Sequence, residues 1–345
     1  MELPQFSRFY RRHAGRFDDV LALWPQGIPG RAALDAATAA LQQSGAALPT
    51  ALRRVRNALM LRLIEADLAG APLEAICIGI SDLAESVVAA GLRAAHAELQ
   101  PRFGVPRTAG GEVAQFLVVG MGKLGGRELN VSSDIDLVFV YDDDGETDGP
   151  VSLSNREYFG RVVRAFVPLL SDVTADGFVF RVDTRLRPNG DSGPPVVSLA
   201  MLEEYFLVQG REWERFAWLK SRVVSPLDTP AAARAAQALE GVVEPFVWRR
   251  YLDFGMLEAL RALHRQIRAE ATKRAAARPD KANDVKLGRG GIREIEFTVQ
   301  LLQVVRGGRM PQIRERATLP ALALLVRNGL LQAESAAVSY THLRA

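Results

Sequence analysis

The stretch "GMGKLGGRELNVSSDIDLVFVY", Gly120 to Tyr141, sets two carboxylates at the start of a β-rich apolar run. A strand alternates its faces, so Asp134 and Asp136 project together while Ile135, Leu137 and Phe139 face the core. Interior strands of a parallel sheet are near-continuous apolar runs, and one that opens on two acids does not fit there. Two carboxylates this close repel each other and resist joint ionisation unless a cation lies between them. Hard divalent cations take oxygen ligands, and magnesium commonly meets one or two carboxylates plus substrate phosphates.

The residues around this pair extend the same chemistry. Gly125-Gly126 lies just before it, where backbone N–H groups without a side chain in the way can approach a phosphate. A later strand, "GFVFRVDTRLRP", supplies a third acid, Asp183, with Arg185 and Arg187 expected on its face at i+2 and i+4. Three acids can hold two metals ~3.5–4 Å apart, which clamp the attacking and leaving oxygens of a phosphoryl displacement. The arginines can fork onto phosphate oxygens.

Two competing readings of the glycines fail. "GMGKLG" fits the G-x-G-x-x-G dinucleotide pattern, with Asp142 near the place of a ribose-binding acid. Yet only nine positions separate Gly125 from Asp134, too few for the crossover helix of a βαβ unit. A phosphate-binding P-loop would need glycine at Leu117 and Ser or Thr at Leu124.

Around this centre the chain is helical. Ala and Leu recur at helical spacing through residues 31 to 100, with Gly70 and Pro72 separating two helices. "PRFGVPRTAGGE" has linker composition, and "DDDGETDGP" reads as a loop. "LSNREYFGRVVRAFVPLL" reads as a helix opened by a Ser154/Glu157 capping box. Beyond the turn "NGDSGPP", five more helical segments follow, including "REWERFAWLKSRVV", "MLEALRALHRQIRAEATKRAAA" and "GIREIEFTVQLLQVVRGG". The expected divisions are a helical region over 1–105, a catalytic domain over 106–228, a helical bundle over 229–335 and a divergent tail over 336–345. Forty-three basic against 40 acidic residues make a mixed surface, not a nucleic-acid polycation. One cysteine, Cys77, excludes an intrachain disulfide and a cysteine zinc site. No apolar run reaches the ~18 residues of a membrane helix, and no leader is visible, so a cytoplasmic protein with no membrane association is expected.

The order of glycine pair, D-x-D and later strand aspartate resembles the nucleotidyltransferase superfamily that includes DNA polymerase β. The wider wording is more specific. "GMGKLGGRELNVSSDIDLVFVY", "RVDTRLRPNGDSGPPVVS", "QGREWERFAWLKSRVV" and "VKLGRGGIREIEFTVQ" are similar, in order, to the glutamine synthetase adenylyltransferase / adenylyl-removing enzyme family. The resemblance covers roughly residues 80 to 330. It implies an α+β fold, a small mixed nucleotidyltransferase sheet flanked by mostly helical N- and C-terminal regions. "GMGKLGG" and "RLRPNGDSGP" look like the N-terminal half of that family, which removes AMP from a glutamine synthetase tyrosine with inorganic phosphate and releases ADP. The other half adds AMP from ATP. The closing "SYTHLRA" departs from the family pattern, so the chain is expected to be a fragment or a truncated product.

The resemblance implies roles as well. Asp134, Asp136 and Asp183 would bind two Mg²⁺ or Mn²⁺ ions. Gly125, Gly126 and Ser133 would hold phosphates, with Arg185, Arg187 and Lys123 as further phosphate ligands. The implied partners are adenylylated glutamine synthetase and a PII-type signalling protein. Trp213, Phe216 and Trp218 are expected in the core. Glu294 and Glu296 diverge on their helix and are expected to serve basic neighbours rather than metal. His13, His96, His264 and His342 lack ligand spacing. Two alternatives stay open: transfer of AMP onto the synthetase, and a catalytically silent nucleotide- or partner-binding module.

Overall fold

The computed structural model describes residues 7–24, 26–250 and 291–334, with six further positions between 258 and 273. His264, His342, most of the helix expected over 256–277, and the tail 336–345 lie outside the described residues. The chain forms two compact units, Met1–Leu202 with Arg222–Leu239, and Glu203–Ser221 with Glu240–Ala345.

The first unit opens with two short helices, α1 (Arg8–His13) and α2 (Asp18–Leu21), then three longer ones. These are α3 (Arg31–Gln43), α4 (Leu48–Leu68) and α5 (Leu73–Phe103). In α3 the buried residues Leu34, Ala37, Thr38 and Leu41 follow the i, i+3, i+4, i+7 stripe of an amphipathic helix. Gly70 ends α4 at φ +86°, and Pro72 caps α5. By length and mean hydropathy (1.7) α5 passes as a membrane span, but 78% of that window is buried inside the fold. Its apolar residues pack on α3, α4 and α7 (Asn155–Ser171). A Cβ on Gly91 would stand 2.9 Å from the Phe166 ring, so glycine is what lets α5 and α7 approach this closely.

The sheet is mixed and five-stranded. Its order is β3 (Val182–Asp183), β2 (Ile135–Tyr141), β1 (Phe116–Gly120), β5 (Arg222–Val223), with β4 (Val197–Ser198) also on β2. β1 and β2 are antiparallel, joined by a four-residue helix α6 (Gly122–Gly125) and a turn. This excludes the dinucleotide reading, which needs parallel strands around a full helix. Asp142 instead accepts the Gln115 N–H at 2.8 Å and closes the end of the β1–β2 ladder. Beyond Asp136, β2 is buried on both faces. Val138 and Val140 are as buried as Leu137 and Phe139. One continuous core joins Leu52, Leu59 and Leu83 of the helices to Val118, Phe139, Phe159 and Phe166. The boundary expected at 105/106 therefore runs through a shared core. The "linker" after α5 is also tied down: Val105 N–H donates to Asp148 at 2.7 Å, and Arg107 pairs with Asp148 at 2.8 Å.

The expected long strand "GFVFRVDTRLRP" shortens to Val182–Asp183. The Asp183 carboxylate accepts the Arg185 N–H at 2.9 Å, an Asx turn that bends the chain out of the sheet. Buried Arg53 of α4 sets the approach to β3: it donates to the carbonyls of Leu169, Asp172 and Gly177. The Ser154/Glu157 capping box forms as read.

In the second unit, Val299, Ile313, Leu322 and Leu325 form a core between the helices Ile292–Arg306 and Thr318–Arg327. Phe216 and Trp218 of the helix Glu212–Leu219 are buried, but Trp213, at its first turn, is 40% exposed. Glu296 lies 3.9 Å from the buried Lys220 ammonium, the basic-neighbour role expected of it.

Candidate active site

β2 and β3 are parallel, and their register sets Asp136 opposite Asp183, one step after Ile135 opposite Val182. Neighbouring strands lie about 4.8 Å apart and partner residues project from one face, so the two carboxylates stand side by side. Both are half-buried. The glycine turn closes over them from β1. Met121 N–H donates to the Asp136 carbonyl at 2.9 Å. Gly122 follows at φ +54°, where a Cβ would sit 3.8 Å from Asp136 Oδ2.

Asp134 is placed differently. It precedes β2, is exposed, and its carboxylate accepts from Arg181 Nε. Arg181 also donates to the Ser132 carbonyl at 3.2 Å. Among the described residues no three acidic, histidine or cysteine side chains gather around one point. Of the three expected acids, the strand register brings Asp136 and Asp183 together.

Arg185 folds back onto Asp183, with Nε at 3.0 Å from each carboxylate oxygen. That bidentate hydrogen bond holds the Asp183 carboxyl below its ordinary range. Arg185 itself is 72% exposed at its side chain. Arg187 does not share this face, because the strand has ended. Its guanidinium donates to the Thr184 carbonyl and hydroxyl, both at 2.8 Å, and so braces its own loop.

Gly125 and Gly126 are buried, and their N–H groups donate to Met121 and Gly122 carbonyls at 3.3 and 3.0 Å. Their backbone is thus used inside the turn; the turn's first N–H groups, on Gly122 and Lys123, precede the hydrogen-bonded ones. Lys123 is half-buried on that turn. Ser133 donates to the Asn130 side chain in the loop before β2.

The turn has a support that the sequence did not reveal. Glu85 of α5, 6% exposed at its side chain, pairs with Arg31 at 3.1 Å, Arg127 at 2.9 Å and Arg222 at 2.7 Å. Arg222 also donates to the carbonyls of Leu124 and Gly125, both at 3.1 Å. Arg127 holds a left-handed φ of +55° and reaches Asp82 as well. Helix α5 therefore carries the glycine turn through one buried carboxylate. The signal available in sequence was "SDLAES", an acidic pair inside the otherwise uncharged stretch 75–92 of α5.

A short mixed sheet with helices packed round it, a carboxylate at the start of its central strand, a second acid on the parallel neighbour and a glycine turn above them is a nucleotidyltransferase-type α+β arrangement. The family model described as glutamate-ammonia ligase adenylyltransferase matches residues 7–238, and the chain belongs to that family. A second family model, GlnD PII-uridylyltransferase, matches residues 261–344. Similar proteins are named bifunctional glutamine synthetase adenylyltransferase/adenylyl-removing enzyme. The one from Burkholderia mallei is 53% identical over 325 residues, 91% of this chain and 35% of that protein. The one from Ralstonia nicotianae is 49% identical over 358 residues, 96% of this chain and 38% of its own length. The one from Bordetella pertussis is 50% identical over 303 residues, 85% and 32% of the two chains. The chain thus spans roughly a third of the length of these relatives.

Proposed function

We propose that this chain removes AMP from a tyrosine of adenylylated glutamine synthetase by phosphorolysis, releasing ADP. The observation that carries the reading is the Asp136–Asp183 pair under the glycine turn, in a chain about half identical to enzymes named for both directions of AMP transfer. The removing direction rests on the wording "GMGKLGG" and "RLRPNGDSGP".

Asp136 and Asp183 offer adjacent oxygen donors on one face, which suits a hard divalent cation completed by substrate phosphates. Mg²⁺ or Mn²⁺ is the cofactor proposed, and when bound it supplies neutralisation of phosphate charge. Asp134 joins them as a ligand for a second ion only by leaving Arg181. The residues of the chain do the rest. Gly122 keeps the wall beside Asp136 free of a side chain. Arg185 and Arg181, each holding an acid, are released when the acids are engaged and are then free to take phosphate oxygens. A phosphate oxygen attacks the phosphorus of the tyrosyl-AMP ester. The bond to the tyrosine oxygen breaks, and that oxygen takes a proton. Phosphate is already a nucleophile at neutral pH, so no general base is needed; positioning and charge neutralisation provide the catalysis. A PII-type signalling protein is the proposed regulator, in keeping with the second family match over 261–344.

Product analysis tests this. The chain is incubated with adenylylated glutamine synthetase and Mg²⁺, with and without phosphate, and the nucleotides are separated. ADP that needs phosphate and disappears in Asp136→Ala supports the proposal. AMP moving from ATP onto unmodified synthetase would assign the opposite direction, which the same acid pair can also serve. Silence in both assays would favour a binding module.

A further inference from the structure

Away from the carboxylates, α7 turns three arginines into a groove against the chain that leads into β4. Arg156, Arg161 and Arg164 line an open cavity of about 400 Å³ with Gly160, Pro194, Pro195 and Val196. The one carboxylate in the lining, Glu157, is spent on the helix cap, where it accepts from the Ser154 hydroxyl at 2.9 Å. Among the described residues none of the three arginines forms an ion pair, unlike Arg31, Arg127 and Arg222 in the same unit. Arg161 lies over the Phe103 ring at 4.8 Å, and its Nε is buried without a hydrogen-bond partner. Arg156 and Arg164 are exposed.

The shape restricts the occupant. Eight residues at 1.5 Å per residue put Arg156 and Arg164 about 12 Å apart, far longer than one phosphate group. Carboxylates on alternate residues of an extended chain recur about every 6.8 Å, which fits two or three such charges into that span. Gly160 leaves the wall low, with Pro195 Cγ 3.9 Å from where its Cβ would be. Pro194 and Pro195 have no N–H, so a peptide cannot add there as a paired strand and must be held by its side chains. None of the residues lining the groove belongs to the acid pair, the glycine turn or β2. The groove is therefore separate from the acid pair.

We propose that this groove docks an extended, acidic segment of the protein substrate while the modified tyrosine reaches the acid pair. The proposal rests on the reading above that the substrate is a protein. It is tested with the Arg156→Glu/Arg164→Glu double variant of the full chain, checked for unchanged thermal unfolding, and with the Arg156→Lys/Arg164→Lys control. Three quantities are measured: KM for adenylylated glutamine synthetase, anisotropy of a labelled ten-residue peptide with glutamate at alternate positions, and turnover of free tyrosyl-AMP. The expected result is a KM raised at least about tenfold, loss of a peptide affinity that in the parent chain weakens with salt, and unchanged turnover of free tyrosyl-AMP. The lysine control should keep most of the affinity. An unchanged KM with unchanged peptide binding overturns the proposal, and so does a groove that takes inorganic phosphate or ADP in place of the peptide. If the parent chain fails on free tyrosyl-AMP as well as on the protein, the phosphorolysis reading falls, while peptide binding still decides the groove.

Discussion

Two sets of arginine–carboxylate pairs stand close to the glycine turn, and they differ in burial. At Glu85 one carboxylate, 6% exposed, holds Arg31, Arg127 and Arg222. At the acid pair, Asp183 holds Arg185 and Asp134 holds Arg181, with the arginine side chains 72% and 60% exposed. The same chemical groups therefore serve opposite ends. A buried carboxylate cannot release its arginines to water without leaving charge stranded in a poor dielectric, so it fixes geometry. An exposed guanidinium leaves at little cost, since solvent replaces its partner, so it can be exchanged for a metal or a phosphate. The first set holds the turn still. The second pairs the acids with arginines that solvent already reaches.

The largest effect should come from the acids. Asp136→Asn is expected to lower phosphorolysis by more than about 10²-fold with the fold intact, the scale of losing a main electrostatic group. Steady-state rates together with the unfolding midpoint check this; a large fall in stability would mean that Asp136 belongs with Glu85 as a structural acid. Glu85→Ala should do the reverse. It strands three arginines that are themselves partly exposed, so the loss is expected at the lower end for breaking a buried pair, about 3 kcal/mol by chemical denaturation. If its stability is unchanged, the contrast between the two sets fails.

His96 provides a third case, a half-buried titratable group with no ion-pair partner among the described residues. It makes a 3.1 Å hydrogen bond with the Tyr158 hydroxyl, and burial lowers its pKa to about 4. The unfolded chain then binds the extra proton first, so stability is complete above about pH 6.5 and declines as the pH falls toward 4, by at most about 3 kcal/mol. Unfolding midpoints at pH 7 and pH 5 should differ in the parent chain and converge in His96→Gln. The smallest stability effect belongs to Arg185→Met. Its unfolding midpoint should hardly move, as for other exposed pairs. Mn²⁺ affinity should rise because Asp183 no longer has a competitor, and phosphate affinity should fall. A titration in which both affinities drop would show that Arg185 orients Asp183 rather than competing for it.

Much of this was legible in local sequence. The helices over 31–100 follow from apolar spacing and from Gly70 and Pro72. The capping box at Ser154 follows from two residues three apart. That "DIDLVFVY" is a strand beginning at acids, with Asp183 on a neighbouring strand, follows from period-two alternation. The acid and arginine directions were less legible. Arg185 and Arg187 were expected to share the face of Asp183, but an Asx turn ends β3 there, and a side chain closing on its own backbone leaves no trace in periodicity. Asp134 was expected to converge with Asp136, but it lies outside the ladder, where Arg181 from the neighbouring strand end captures it. The phosphate role expected of Gly125 and Gly126 meets N–H groups already used within the turn.

By itself the sequence determined the candidate acids, turns and strand faces, because residue type and short spacing decide which groups can play those parts. Its motifs also placed the chain in its family. Only the tertiary structure decided which groups meet. The parallel register of β2 and β3 sets Asp136 beside Asp183, and Glu85, some forty residues before the glycine turn, carries that turn through Arg127 and Arg222. Such pairings depend on how helices and strands far apart in the chain pack around one core. That information lies in the sum of many weak apolar contacts, and no single motif states it.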